Sequence, residues 1–271
     1  MRHYEGHEEM SDIITLERVS KSYGNNSVID SVSHGFHRGE SVAFVGHNGC
    51  GKSTMLKILA GLVRINQGKV TYSEKVRFSY VPEKITGLDV TMNCYLKSIA
   101  KMEGVSFGKV KQLIKDFFLD DMVDIRMKNM SKGSLQKVGV IQALMAPHEI
   151  MLLDEPLSGQ DAQSQEVFIS KMNELKEQGI TIFISCHEKK LIDELSDKVY
   201  TIEHGKLKDV KEIQESMFRI YVRKNGTLTK WPEMSLHGNR YVISVKENDI
   251  KGTVMKLFDE GWELVGIEEY I

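Results

Sequence analysis

The run Gly46-His47-Asn48-Gly49-Cys50-Gly51-Lys52-Ser53 has the spacing G-x-x-x-x-G-K-[ST], which builds a pocket for nucleotide phosphates. The glycines let backbone N–H groups turn inward around an anion, and the N-terminus of a following helix adds partial positive charge. Lys52 is placed to neutralise the β- and γ-phosphates, and Ser53 to offer its hydroxyl to a magnesium ion. A glycine-rich turn between strand and helix could show a similar composition. The context argues for the phosphate pocket: Ser41-Val42-Ala43-Phe44-Val45 reads as a buried strand before the run, and Thr54 to Ala60 as a helix after it.

A second motif, Ile150-Met151-Leu152-Leu153-Asp154-Glu155-Pro156, ends another buried strand on two adjacent acids. Successive side chains of a strand point opposite ways, but at its end the chain can turn both toward one site. Asp154 is expected to hold Mg2+ directly or through water, and Glu155 to polarise the attacking water as a general base. By itself Asp-Glu-Pro is also an ordinary exit from a strand into a turn. A phosphate loop by itself leaves kinases, GTPases and motor ATPases open.

Between the two motifs lies Met130-Ser131-Lys132-Gly133-Ser134-Leu135-Gln136-Lys137. With it, the chain resembles the nucleotide-binding subunit of an ABC transporter. The run is similar to the family signature Leu-Ser-Gly-Gly-Gln, with Met, Lys and Ser at the first, third and fifth positions. Its Ser-Lys-Gly form is like that of many drug- and peptide-export ATPases. A serine and a glycine opening a helix form a second anion cup. The resemblance implies that Ser131, Lys132, Gly133, Ser134 and Gln136 form the signature that acts on an opposing subunit's nucleotide, with Ser131 and Gly133 meeting the γ-phosphate. Tyr23, in Lys21-Ser22-Tyr23-Gly24, resembles the aromatic residue that stacks on adenine. Ser158-Gly159-Gln160-Asp161 resembles the loop that crosses the dimer interface, with Gln160 in place of the usual leucine; Ser158, Gly159 and Asp161 are its site residues. His187 resembles the switch histidine that contacts the γ-phosphate. Tyr80-Val81-Pro82-Glu83 departs from the family, whose loop carries glutamine where Glu83 stands. A carboxylate still offers oxygen to magnesium, and it adds negative charge near the phosphates.

The implied fold is α/β: a P-loop NTPase core with a mainly parallel sheet, an antiparallel β subdomain, a helical subdomain and a small C-terminal α+β domain. Strand–helix–strand alternation along the chain points the same way. The expected organisation is a flexible N-terminal tail over 1–10, an ABC ATPase domain over 11–212 with its helical part at about 84–145, and the small domain over 213–271. In that last domain Phe218 to Arg223 alternates with period two and meets the hairpin signal Asn225-Gly226. Between Ile13 and Val45 the sequence reads as short β runs separated by turns.

The 271 residues give room for one large α/β domain and an appendage, and 41% hydrophobic with 27% charged residues is usual for a globular protein. A formal net charge of -2 does not point to nucleic acid as a partner. No apolar run approaches the ~20 residues of a membrane helix, so the chain is expected in the cytoplasm, peripheral on the inner face of the cell membrane. Cys50, Cys94 and Cys186 are scattered, which argues against a disulfide framework or a zinc site. Cys50, at the helix N-terminus, is a candidate reactive thiol; a small residue tolerated in a tight loop is the plainer reading.

The resemblance implies an ATPase with ATP and Mg2+ as ligands. Its partners would be a second copy or a paralogous ATPase subunit and an integral membrane permease, and export is the expected direction. The alternatives are an ABC-type ATPase acting on ribosomes or DNA and a nucleotide-gated regulator with little turnover. Only one set of motifs is present, with no long heptad run between Lys52 and Asp154.

Overall fold

The structure is a computed structural model and describes residues 12–146, 148–210, 217–223, 234–237, 240–246 and 249–269. The chain divides into two compact units, Met1–Lys211 and Glu212–Ile271. The tail expected over 1–10 and the Asn225-Gly226 turn lie outside the described residues.

The first unit opens with β1 (Asp12–Tyr23) and β2 (Asn26–His37), a hairpin that gains β4 (Gln67–Tyr72) on the other edge of β1 to make a three-stranded antiparallel sheet. The short runs expected here are therefore two long strands. Their alternation is broken by register shifts between Leu16 and Val19 and between Val19 and Lys21, with Arg18 at φ 48° and Ser31 at φ 49°. A bulge moves the following side chains to the other face, so one continuous strand reads as two in sequence.

The central sheet has six strands: β3 (Ser41–Val45), β5 (Phe78–Val81), β6 (Ile150–Asp154), β7 (Thr181–Ser185), β8 (Lys198–Glu203) and β9 (Lys206–Asp209). Their order is β5-β6-β7-β3-β8-β9, parallel except for β9. Every residue of β6 and β7 is buried, as expected of parallel strands covered on both faces. Phe36, Phe44 and Phe183 lock the antiparallel sheet to the central one, with Phe36 and Phe183 edge to face at 5.0 Å between centroids.

Helices α1 (Lys52–Leu59), α5 (Ala162–Glu177) and α6 (Lys189–Leu195) follow strands β3, β6 and β7. A helical region holds α2 (Met92–Glu103), α3 (Phe107–Asp116) and α4 (Lys132–Met145), with Val110, Leu113 and Ile114 buried at helical spacing. Thr91 caps α2 by accepting from the Cys94 N–H, so helix begins at Met92 and the stretch from 84 to 91 is non-helical.

The second unit contains β10 (Met217–Arg223), β11 (Met234–His237), β12 (Arg240–Lys246), α7 (Ile250–Asp259) and β13 (Glu263–Glu269). Its antiparallel sheet has the order β11-β12-β10-β13, and Ile220, Val222, Ile243, Leu257 and Trp262 form its core. The period-two pattern of β10 holds, but its neighbours are β12 and β13 and not the next strand in sequence.

Candidate active site

The candidate residues come from the carboxyl ends of four adjacent parallel strands. Glu83 follows β5, Asp154 and Glu155 end β6, His187 follows β7, and the 46–53 loop follows β3. Such a rim is where open parallel sheets place their ligands. A cleft of about 560 Å³ opens there, lined among others by Tyr23, Lys52, Ser53, Thr54, Glu83, Glu155, Ser158 and His187. Val28 of β2 also lines it. The sequence carries no signal for that residue, because only the fold of the hairpin brings it there.

Gly51 precedes α1 at φ 122°, and a Cβ there would lie 3.0 Å from Val28 Cγ1, so both conformation and space demand glycine. No side chain caps α1, which leaves the N–H groups of its first turn directed at the cleft. Lys52 is 6% exposed and donates from Nζ to Gly46 O at 2.6 Å and His47 O at 3.4 Å. Its Nζ stands 3.9 Å from Glu155 Oε1 and 3.1 Å from His187 Nε2. His187 Nε2 is also 3.1 Å from Glu155 Oε1 and 3.2 Å from Asn48 Oδ1. Protonated on Nδ1, the neutral ring accepts from Lys52; protonated on Nε2, it donates to Glu155 or Asn48. Cys50 is half-buried and packs against the hydrophobic core, and it is not among the residues that line the cleft.

Asp154 is buried beneath Ser53, whose Oγ donates to Asp154 Oδ1 at 2.9 Å. Two further hydroxyls hold this carboxylate: Ser185 Oγ donates to Oδ1 at 2.6 Å, and Tyr80 OH to Oδ2 at 3.3 Å. Burial and the neighbouring Asp154 charge push the Tyr80 phenol far up, so it stays a donor. Neither Tyr80 nor Ser185 was marked by the sequence for this role. The two adjacent acids face one site because Glu155 takes φ 48°, a left-handed turn that a strand would not make. Burial raises the Glu155 carboxyl above its ordinary value, opposed by His187 and Lys52.

No residue of the 131–136 run lines this cleft, although Lys132 and Gln136 bond to its rim at Ser158 and beside Glu83. Ser131 caps α4, accepting from the Ser134 N–H at 3.1 Å, with the two hydroxyls 2.9 Å apart. A Cβ on Gly133 would lie 2.3 Å from Gly159 O, so the two glycines let α4 and the 158–161 loop touch. Lys132 Nζ donates to Ser158 Oγ at 2.8 Å, and Lys137 Nζ to Asp161 Oδ2 at 2.9 Å. Gln136 Nε2 donates to Pro82 O at 3.0 Å, next to Glu83. Asp161 also caps α5 by accepting from the Ser164 N–H at 2.9 Å. Tyr23 is 49% exposed at the cleft, with Lys21 Nζ 4.7 Å from its ring centroid.

The Lys137–Asp161 pair gives a stability prediction. Lys137 holds the Asp161 carboxyl well below the usual carboxylate range, aided by the Ser164 N–H. A depressed folded value means that this stabilisation is present above the unfolded pKa and is lost as pH falls through the folded one. Asp161→Ala removes a cap worth about 0.5–2 kcal/mol and leaves the buried Lys137 ammonium without its partner. Lys137→Met leaves the cap in place and an exposed carboxylate. Asp161→Ala should therefore be the more destabilising change in urea melts at neutral pH, and equal losses would contradict the double role.

Residues 29–158 match the ABC transporter family. An ABC transporter ATP-binding protein of Methanocaldococcus jannaschii is 32% identical over 231 residues, covering 82% of this chain and 87% of that protein. The chain belongs to the ABC transporter ATP-binding family. The zinc import ATP-binding protein ZnuC of Hydrogenovibrio crunogenus is 29% identical over 201 residues, 70% of this chain and 78% of the relative. A solved ATP-binding subunit of an ABC transporter superposes with TM-score 0.65 at 26% identity, covering 72% of this chain and 88% of that one. The chain is thus an ATP-hydrolysing ABC subunit, with the P-loop NTPase fold expected from its motifs. No helix among the described residues is long and apolar enough to cross a membrane.

For magnesium, the donors present fit. Ser53 Oγ and Asp154 Oδ1 are hard oxygens side by side, and Glu83 offers another carboxylate at the cleft. Among the described residues no cluster of three or more His, Cys, Asp or Glu could cage a metal unaided.

Proposed function

We propose that this ABC ATPase dimerises head to tail around ATP and drives a separate membrane-spanning partner. The observation that carries the reading is that the Ser131-capped start of α4 does not line the 46–54 cleft of its own chain. A second copy, or a paralogous subunit, would bring its own cup to the triphosphate. Lys52 and the N–H groups at the start of α1 bind the phosphates, and Tyr23 offers its exposed ring to the base. Ser53 and Asp154 hold Mg2+, which supplies charge neutralisation on the phosphates when bound. Glu155 takes the proton of the attacking water, and His187, 3.1 Å from Lys52 Nζ, contacts the γ-phosphate beside it. The 158–161 loop, tied to α4 by Lys132 and Lys137, links each cup to the cleft of its own chain.

The resemblance of the Ser-Lys-Gly run to export ATPases is the ground for export. Import is the second reading, favoured by the zinc import ATP-binding proteins among the relatives. We expect the chain to sit on the inner face of the membrane through its partner. The test is purification of the tagged chain from detergent-solubilised membranes. A stoichiometric multi-span protein that raises ATP turnover is the expected result; recovery with ribosomes or DNA alone would overturn the transporter role.

A further inference from the structure

Ser185 closes β7 with no exposed surface, and its hydroxyl stands between the carboxylate of Asp154, the last residue of β6, and the backbone N–H of Glu155. The hydroxyl donates to Asp154 Oδ1 at 2.6 Å. While its O–H donates there, the same oxygen accepts the Glu155 N–H at 3.1 Å, and the Ser185 carbonyl accepts that N–H at 3.0 Å. One residue of the neighbouring strand therefore holds the side chain of one acid and the backbone of the next.

The backbone it holds is the unusual one. A non-glycine residue at φ 48° persists only where its surroundings over-determine it. Without that left-handed turn, Glu155 would continue the strand and point to the face opposite Asp154. With the turn, Glu155 Oε1 reaches 3.1 Å from His187 Nε2 and 3.9 Å from Lys52 Nζ. The same hydroxyl fixes which way Asp154 Oδ1 faces Ser53.

We propose that Ser185 is a positioning residue for ATP hydrolysis, setting Asp154 and Glu155 relative to each other through a single hydroxyl. It touches neither nucleotide nor water itself and acts through those two carboxylates. The inference rests on Asp154 and Glu155 having the roles given above, so Glu155→Gln is run beside the Ser185 variants.

The experiment measures ATP turnover, equilibrium ATP binding and thermal unfolding of the full chain carrying Ser185→Ala, Ser185→Cys or Ser185→Thr. Groups that orient a metal-holding carboxylate typically matter by about 10- to 100-fold in activity. Ser185→Ala and Ser185→Cys should lose turnover to that extent and need more Mg2+ for half-maximal rate, with ATP binding changed by less than about threefold. Ser185→Thr, which keeps the hydroxyl on a strand that favours β-branched residues, should recover most of the rate. Three outcomes would overturn the inference. Ser185→Ala could turn over normally while Glu155→Gln does not; threonine could be no better than alanine; or ATP binding and thermal stability could fall together with turnover, a merely structural effect. Normal turnover in Glu155→Gln would instead remove the underlying assignment of the base.

Discussion

Glu155→Gln should bind ATP with native affinity and hydrolyse it about 100- to 10,000-fold more slowly, the usual contribution of a positioned general base. The amide keeps the shape of the side chain and can still meet His187, 3.1 Å away, but it cannot take a proton from water. Lys52 remains in place, so the phosphates keep their cation. Burial raises the Glu155 carboxyl, while His187 and Lys52 oppose that shift. A carboxylate raised in this way is a stronger base than an exposed one. Single-turnover hydrolysis with nucleotide binding measured in parallel checks the expectation. A native rate would take the base role away from Glu155.

The second large effect is on binding. Lys52→Ala removes an ammonium that is 6% exposed and faces the loop carbonyls of Gly46 and His47. A hydrogen bond to a charged group is worth about 1.5–3 kcal/mol, which corresponds to about 10- to 100-fold in affinity. The loss should be larger for ATP than for adenosine, because only the phosphates meet this side chain. Glu155 would also lose a neighbouring cation 3.9 Å away, adding repulsion toward the triphosphate. Fluorescence titration with both ligands measures this, and unchanged ATP affinity would contradict the loop assignment.

How much of this was legible in the sequence depends on how local each feature is. The phosphate loop was legible because its chemistry lies in consecutive backbone groups flanked by one strand and one helix. The acid pair was legible as residue types, but not the device that aims both at one place. That device is a left-handed φ at a glutamate, which no residue preference signals. Tyr80, Ser185 and Val28 stayed invisible because sheet order brings them in from other strands. Lys137 was only one letter of a helical run; its ion pair with Asp161 depends on the close approach of Gly133 to Gly159. In the second unit the alternating pattern of β10 was readable, but its partners were not, since β12 and β13 lie farther along the chain than β11. The bulged β1 and β2 show the converse, where a local irregularity hides a long strand from a period-two reading.

Head-to-tail closure is the central claim, since the chain's own Ser131 cup does not line its cleft. Light scattering on Glu155→Gln, with and without Mg-ATP, tests it most directly. Twice the protomer mass with ATP, reverting when Ser131 is replaced by a bulky residue, is the predicted result. A single protomer mass in every nucleotide state, with the membrane partner present or absent, would contradict it.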